Sequence, residues 1–217
     1  MAAWSGRIGY FSAVDILHIR RPRAFAVGKV VLDYVLAVVL AALLSPVVLI
    51  CMLIIRITSP GAALIRQNRL GKNGKVFKMY KLRTMSPDAE ARSGPVLAAE
   101  NDHRILPACR WMRRSHLDEV PQLLNVLRGE MSLVGPRPER PEIAEKICQK
   151  LPEFRHRLEV RPGITGLAQV RNGYDTCIDA MKRKLHYDLE YIRRRSWLLE
   201  LSILATTLTK LYDPTAR

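Results

Sequence analysis

Several patterns that would announce a known chemistry are missing from this chain of 217 residues. It has no HExxH helix and no GxSxG elbow. The stretch Gly71-Lys72-Asn73-Gly74-Lys75 is not followed by Ser or Thr, which excludes a phosphate-binding P-loop. No DxD triplet occurs, so the usual metal motif of many nucleotide-sugar glycosyltransferases is absent, as is the aspartate-rich motif of CDP-alcohol phosphotransferases. Cysteine is sparse and scattered: Cys51, Cys109, Cys148 and Cys177 form no CxxC pair, and none has a histidine at zinc spacing. They read as reduced thiols facing the cytosol. Aromatics make up 6% and do not interleave with the basic residues, which argues against a nucleic-acid platform despite a pI near 10.1. Acidic residues are also short, 20 against 35 Lys and Arg, leaving a formal charge of +15. Such an excess calls for an anionic partner: nucleic acid, a membrane surface or a phosphorylated substrate. No small-residue cleavage site follows the first apolar run, so no cleavable signal peptide is expected.

That run is the most conspicuous thing present. Residues 30–56 carry no charge between Asp33 and Arg56, about the length that crosses roughly 30 Å of hydrocarbon. Two features favour a re-entrant helix over a spanning one. Ser45-Pro46 falls mid-segment, where proline removes a backbone donor and kinks a helix. Both flanks are basic, with Arg20, Arg21, Arg23 and Lys29 before and Arg56, Arg66 and Arg69 after, whereas the positive-inside rule favours one side. A helix that turns at Ser45-Pro46 and returns keeps both ends cytoplasmic, and Ser45 can satisfy a backbone group freed by the proline. The chain therefore divides into a basic lead (1–27), a re-entrant segment (28–58) and a catalytic domain (59–217).

Residues 62–83 read as a β-hairpin turning at Asn73-Gly74. Lys78, Lys81 and Arg83 on it suit either a solvated edge or contact with phosphate or membrane. Residues 86–103 read as a surface loop, and 104–114 as an interfacial or packed basic helix. Ser115 and Asp118 match the capping-box pattern ahead of a helix bearing Val120, Leu123, Leu124 and Leu127 on one face, with Gly129 as its stop. On that reading alone, Asp118 is a cap and Glu119 complements the helix dipole. Gly135-Pro136-Arg137-Pro138 and Arg161-Pro162-Gly163 are rigid turns, each carrying an arginine. Residues 175–195 read as a charged helix, and the final run SWLLELSILATTLTKLY as mostly a core helix.

Taken singly these motifs are weak, but their order is specific. RQNRLGKNGKVFKMYKLRTM, RRSHLDEVPQLLNVLRGEMSLVGPRPERPE, RPGITGLAQV and LHYDLEYIRRRSWLLEL follow the broken apolar segment. The series resembles the bacterial sugar transferases, small monotopic polyprenyl-phosphate phosphoglycosyl transferases. The resemblance covers roughly residues 28–212. It implies an α+β fold, mostly helical, with a re-entrant membrane helix, a small catalytic domain and amphipathic interfacial helices. It implies transfer of a sugar 1-phosphate from a UDP-sugar to undecaprenyl phosphate, with Mg²⁺, at the cytoplasmic face of the bacterial inner membrane. Asp118 would be the nucleophile that carries the phosphosugar, and Glu119 would help bind the metal. Arg113, Arg137, Arg161, Lys81 and Asp188 are the expected substrate-binding residues. Membrane lipids are expected partners, nucleic acid is not, and a homodimer is compatible. The match departs from the family after RPGITGLAQV, where Arg171-Asn172-Gly173-Tyr174 lacks the arginine usually found after the glycine. The extra N-terminal helices of larger relatives are not seen, as expected for a minimal catalytic unit. Two other readings, a peripheral nucleic-acid binder and a non-enzymatic membrane scaffold, account for less: the first leaves the uncharged run without purpose, the second leaves the dyad idle.

Overall fold

The computed structural model describes residues 23–86, 89, 102–171 and 178–210, so the lead before Arg23, most of the 86–103 loop, the 172–177 departure and Cys177 lie outside the described residues. The apolar segment forms one helix, α1 (Arg23–Thr58), which starts ahead of the expected boundary at 28. It runs through Pro46 with no hairpin turn interrupting it. The reason is local. Proline lacks the N–H that would bond the Ala42 carbonyl one turn back, and the Ser45 hydroxyl donates to that carbonyl instead, at 2.9 Å. The helix can therefore pass the proline without a bare acceptor. Both of its halves pack on the same body. Asp33 and Ala37 are buried before the proline, Cys51 and Ile55 after it, while Ala42, Leu43, Ser45 and Pro46 between them are exposed. α1 is long and apolar enough to cross a membrane.

β1 (Leu64–Leu70) and β2 (Val76–Leu82) pair antiparallel, as the Asn-Gly signal implied. Asn73 and Gly74 both take positive φ, 56° and 75°, and Gly71 N–H closes the loop on the Lys75 carbonyl at 2.8 Å. A short 3₁₀ turn at Pro107–Cys109 leads into α2 (Arg110–Arg114), which buries Met112 and Arg113 and exposes Trp111 and Arg114.

The next stretch differs from expectation. No capping box forms at Ser115. Its hydroxyl bonds back to the Trp111 carbonyl at 2.9 Å, completing α2 rather than starting a helix. His116 then turns left-handed (φ 55°), and Leu117–Gln122 is a 3₁₀ helix containing Pro121. Only after it does α3 (Leu123–Leu127) begin. Leu123 is buried, but Leu124 is 43% exposed, so the expected apolar face is incomplete.

β3 (Ser132–Val134) pairs in parallel with β4 (Gly163–Thr165), and between them lie α4 (Pro141–Lys150) and a 3₁₀ stretch, Pro152–Glu159. α5 (Leu167–Arg171) follows, then α6 (Ile178–Arg194) and α7 (Trp197–Thr209). The main core gathers Ala37, Phe77, Leu123, Leu133, Tyr191 and Ile203 from α1, β2, α3, β3, α6 and α7. α7 is less of a core helix than its sequence suggested. Glu200 and Ile203 are buried, but Leu198 is 82% exposed and Leu208 68%. The buried stripe is partly polar: Lys29 bridges Asp33 and Glu200, both at 2.9 Å, and Tyr191 donates to Glu200 at 2.7 Å and to the Val134 carbonyl at 2.9 Å. Ser132 donates to Asp33 at 2.6 Å, so α1 is tied to β3 by charge as well as by packing.

Candidate active site

The left-handed turn at His116 and the 3₁₀ helix after it carry Asp118 and Glu119 into the interior, where they are 2% and 7% exposed. A carboxylate this deep needs partners. β2 supplies the first: Lys81 Nζ lies 2.8 Å from Asp118 Oδ2 and 3.5 Å from Glu119 Oε1. The proline-bounded turn after β3 supplies the second. Arg137 Nη1 donates to Glu119 Oε2 at 2.9 Å, and Nη2 donates to the other oxygen, a two-pronged grip that arginine's planar fork is shaped to make. Burial alone would raise the Glu119 carboxyl, but Arg137 and Lys81 overcome it and hold Glu119 well below the usual range. Glu119 is therefore an anion at neutral pH.

Arg137 is held by backbone contact. Gly135 N–H bonds the Thr165 carbonyl at 2.9 Å and Gly163 N–H bonds the Pro136 carbonyl at 3.0 Å. A Cβ on Gly135 would sit 2.6 Å from the Arg161 carbonyl, and one on Gly163 would sit 2.1 Å from the Gly135 nitrogen. The two rigid turns read separately in the sequence are thus one interlocked unit.

Behind Arg137 lies a second tier. Arg157 Nη2 donates to the Arg137 carbonyl at 2.7 Å and pairs with Asp188 at 2.8 Å. Asp188 therefore stands two arginines away from the dyad, behind Arg157 and Arg137, rather than against it. Burial dominates there and raises its carboxyl despite Arg157. Glu139 faces Lys184 and Arg157. Burial would raise it too, but those cations bring it from 4.5 to about 2. Arg69 Nη1 donates to the Pro138 carbonyl at 3.3 Å, and its Nε is buried without a partner. Burial first, and Arg137 second, lower its pKa to about 10.

Of the expected residues, the structure gathers Asp118, Glu119, Lys81 and Arg137. Arg113 is buried at the end of α2, donating to Thr84 at 3.0 Å, with its Nε unpartnered. Arg161 sits at the approach to β4, its guanidinium beside Gly129, with no hydrogen bond to the dyad. Sequence reasoning missed Arg69, Glu139, Arg157 and Lys184. Arg69 was findable: the hairpin register pairs it with Phe77, on the strand face that also carries Lys81. Arg157 and Lys184 carried no local signal, because only the tertiary fold brings them to Glu139 and Asp188.

A basic body that holds Asp118 and Glu119 between Lys81 and Arg137, joined to a helix long and apolar enough to cross a membrane, suits the class of enzymes that handle phosphates beside a membrane. Comparison with known proteins makes the class specific. The model of the family described as bacterial sugar transferase matches residues 24–213, and the chain belongs to that family. It is 42% identical over 191 residues to a UDP-glucose:undecaprenyl-phosphate glucose-1-phosphate transferase of Caulobacter vibrioides, covering 84% of this chain and 69% of that one. It is 37% identical over 177 residues to a UDP-N-acetylgalactosamine-undecaprenyl-phosphate N-acetylgalactosaminephosphotransferase of Aeromonas hydrophila, covering 82% of this chain and 42% of the relative. An exopolysaccharide production protein of Rhizobium leguminosarum bv. phaseoli is 38% identical over 169 residues, 76% of this chain and 84% of that one. The chain thus spans most of some relatives and less than half of others.

Proposed function

We propose that the protein transfers a sugar 1-phosphate from a UDP-sugar to polyprenyl (undecaprenyl) phosphate and releases UMP. The observation that carries this reading is the dyad: two nearly buried carboxylates between Lys81 and Arg137, in a chain of the sugar transferase family. In the first step an Asp118 oxygen attacks the sugar-bearing phosphorus. The bond from that phosphorus to UMP breaks, UMP departs with the electron pair, and the sugar 1-phosphate stays on Asp118 as an acyl phosphate. In the second step an oxygen of the lipid phosphate attacks the same phosphorus, and the Asp118 carboxylate leaves. Lys81, Arg137 and Arg113 offset the charge of the phosphates, and Asp188 acts through Arg157 on the backbone of Arg137.

Mg²⁺ fits this pair. Its protein sites commonly use one or two carboxylates, with substrate phosphates completing the shell. Asp118 and Glu119 supply two, and among the described residues no cluster of three or more His, Cys, Asp or Glu is present to hold a metal by itself. Bound there, the ion would supply positive charge against the repulsion between carboxylate and phosphate.

The same reading seats the protein on the cytoplasmic face of the bacterial inner membrane, with α1 re-entrant. Its support is that both halves of α1 pack on one body while the stretch around Ser45-Pro46 is exposed. A role in starting exopolysaccharide or a similar glycan belongs to the same reading, and the name of the Rhizobium relative, an exopolysaccharide production protein, agrees with it.

The test is UMP release from purified protein with Mg²⁺, undecaprenyl phosphate and a panel of UDP-sugars. Lipid-dependent UMP from one sugar, lost in Asp118→Asn, is the expected result. Full turnover by Asp118→Asn would sink the covalent mechanism.

A further inference from the structure

We propose that Arg66 and Arg128, set around Tyr80, bind the phosphate of an anionic phospholipid headgroup at a site apart from the dyad. The hairpin register places Arg66 opposite Tyr80, on the strand face away from Arg69 and Lys81. Arg128 arrives from the end of α3. Their guanidinium carbons lie 5.5 Å and 4.8 Å from the centroid of the Tyr80 ring, and Arg128 Nη1 also donates to the Tyr80 hydroxyl. The ring is 6% exposed and so lies beneath its two arginines, which both face solvent.

Among the described residues, neither of these two arginines has an acid of its own, unlike the paired arginines elsewhere in the molecule. Arg137 has Glu119, Arg157 has Asp188 and Arg104 has Asp102. Among the described residues, neither Arg66 nor Arg128 meets a carboxylate. A guanidinium offers five N–H donors, and these two spend one between them within the protein. Held against one ring, they lose less freedom on binding than two loose side chains would, and a planar fork suits phosphate oxygens. Exposed Lys78 shares the strand face, and Arg161 lies beside Gly129, the residue after Arg128.

The lipid origin of the phosphate follows from the neighbour. Arg128 N–H bonds the Leu124 carbonyl, so the two residues are one helical turn apart, and Leu124 is 43% exposed. An apolar side chain in the open beside unneutralised arginines suits the boundary of a bilayer, where the acyl region meets the headgroups. A site for free phosphate would have no use for it.

The experiment reads lipid binding without turnover, so it stands apart from the transfer reaction. The full chain in a neutral detergent is titrated with short-chain phosphatidylglycerol or phosphatidylcholine, and bound lipid is counted by native mass spectrometry. Arg66→Gln/Arg128→Gln is compared with Lys146→Gln/Lys150→Gln, which removes the same charge from exposed positions on α4. A preference for phosphatidylglycerol is expected, weakened about tenfold or more in the arginine pair and little changed in the lysine pair. Tyr80→Phe, which keeps the ring and loses the hydroxyl, is expected to fall between, and its intact core covers the case where the double variant misfolds. Equal losses in both double variants would reduce the effect to net charge and overturn the proposal. Displacement of phosphatidylglycerol by an equal concentration of inorganic phosphate would overturn it too, since the site would then be one for free phosphate.

Discussion

Asp118 and Glu119 are neighbours in sequence with different restraints. Asp118 has one ion-pair partner, Lys81, whereas Glu119 is gripped on both oxygens by Arg137. This difference suits the role proposed for Asp118, which no guanidinium grips on both oxygens and which is freer to approach phosphorus. Asp118→Asn is therefore expected to cut UMP release by at least about 10³-fold and to abolish any covalently trapped, radiolabelled phosphosugar. Glu139 bears on stability instead. Its carboxyl is lowered from 4.5 to about 2, so its contribution is present above the unfolded value and lost as pH falls through that interval. The shift corresponds to at most about 3 kcal/mol. In thermal melts between about pH 5 and 3, the wild type should lose more stability than Glu139→Gln, whose curve should be flatter but lower at neutral pH. The sequence disclosed the dyad and Arg137, because a specific run carried them. It misled at Ser115, since the pattern of a capping box holds whether or not the chain turns left-handed at the next residue.

At the scale of elements, the hairpin was readable because Asn73-Gly74 fixes its turn from local chemistry alone. The pairing of β3 with β4 was not, since a parallel pair needs a long crossover and leaves no local trace. Its glycines are what let the two turns approach so closely. Gly135→Ala would drive a Cβ into the Arg161 carbonyl at 2.6 Å, and backbone cannot swing aside as a side chain can. The expected cost is about 2 kcal/mol or more in stability, read by thermal melting, with a fall in UMP release because Arg137 shifts with its turn. The apolar length of α1 and the use of Ser45 were legible in the sequence, whereas its continuity through Pro46 was not, because the Ser45 hydroxyl takes over the Ala42 carbonyl within the helix. Val27→Cys and Pro60→Cys, introduced singly into a background without other cysteines, are expected to react with an impermeant maleimide from the same side of the membrane. Labelling from opposite sides would make α1 a spanning helix.

Over the whole molecule, α1 is part of the catalytic body as much as a neighbour to it. Ala37 belongs to the main core, and Asp33 and Lys29 complete a polar network with Ser132, Glu200 and Tyr191. The expected division at residue 59 marks a change of composition, then, more than a seam in the fold. Residues 59–217 expressed alone should be left with Glu200 buried and short of its lysine, and are expected to aggregate or melt without a cooperative transition, judged by size-exclusion chromatography and circular dichroism. Composition could not reveal this, because a long apolar run looks the same whether or not one stripe of it is seated on protein. In the resting molecule Glu119 already fills the guanidinium fork of Arg137. On the proposed reading, a phosphate that takes this fork displaces a carboxylate, so binding there is an exchange of one anion for another. Such an exchange gains only the difference between two similar grips. A fork that received a phosphate in this way would also let it go, with Glu119 beside it to take its place.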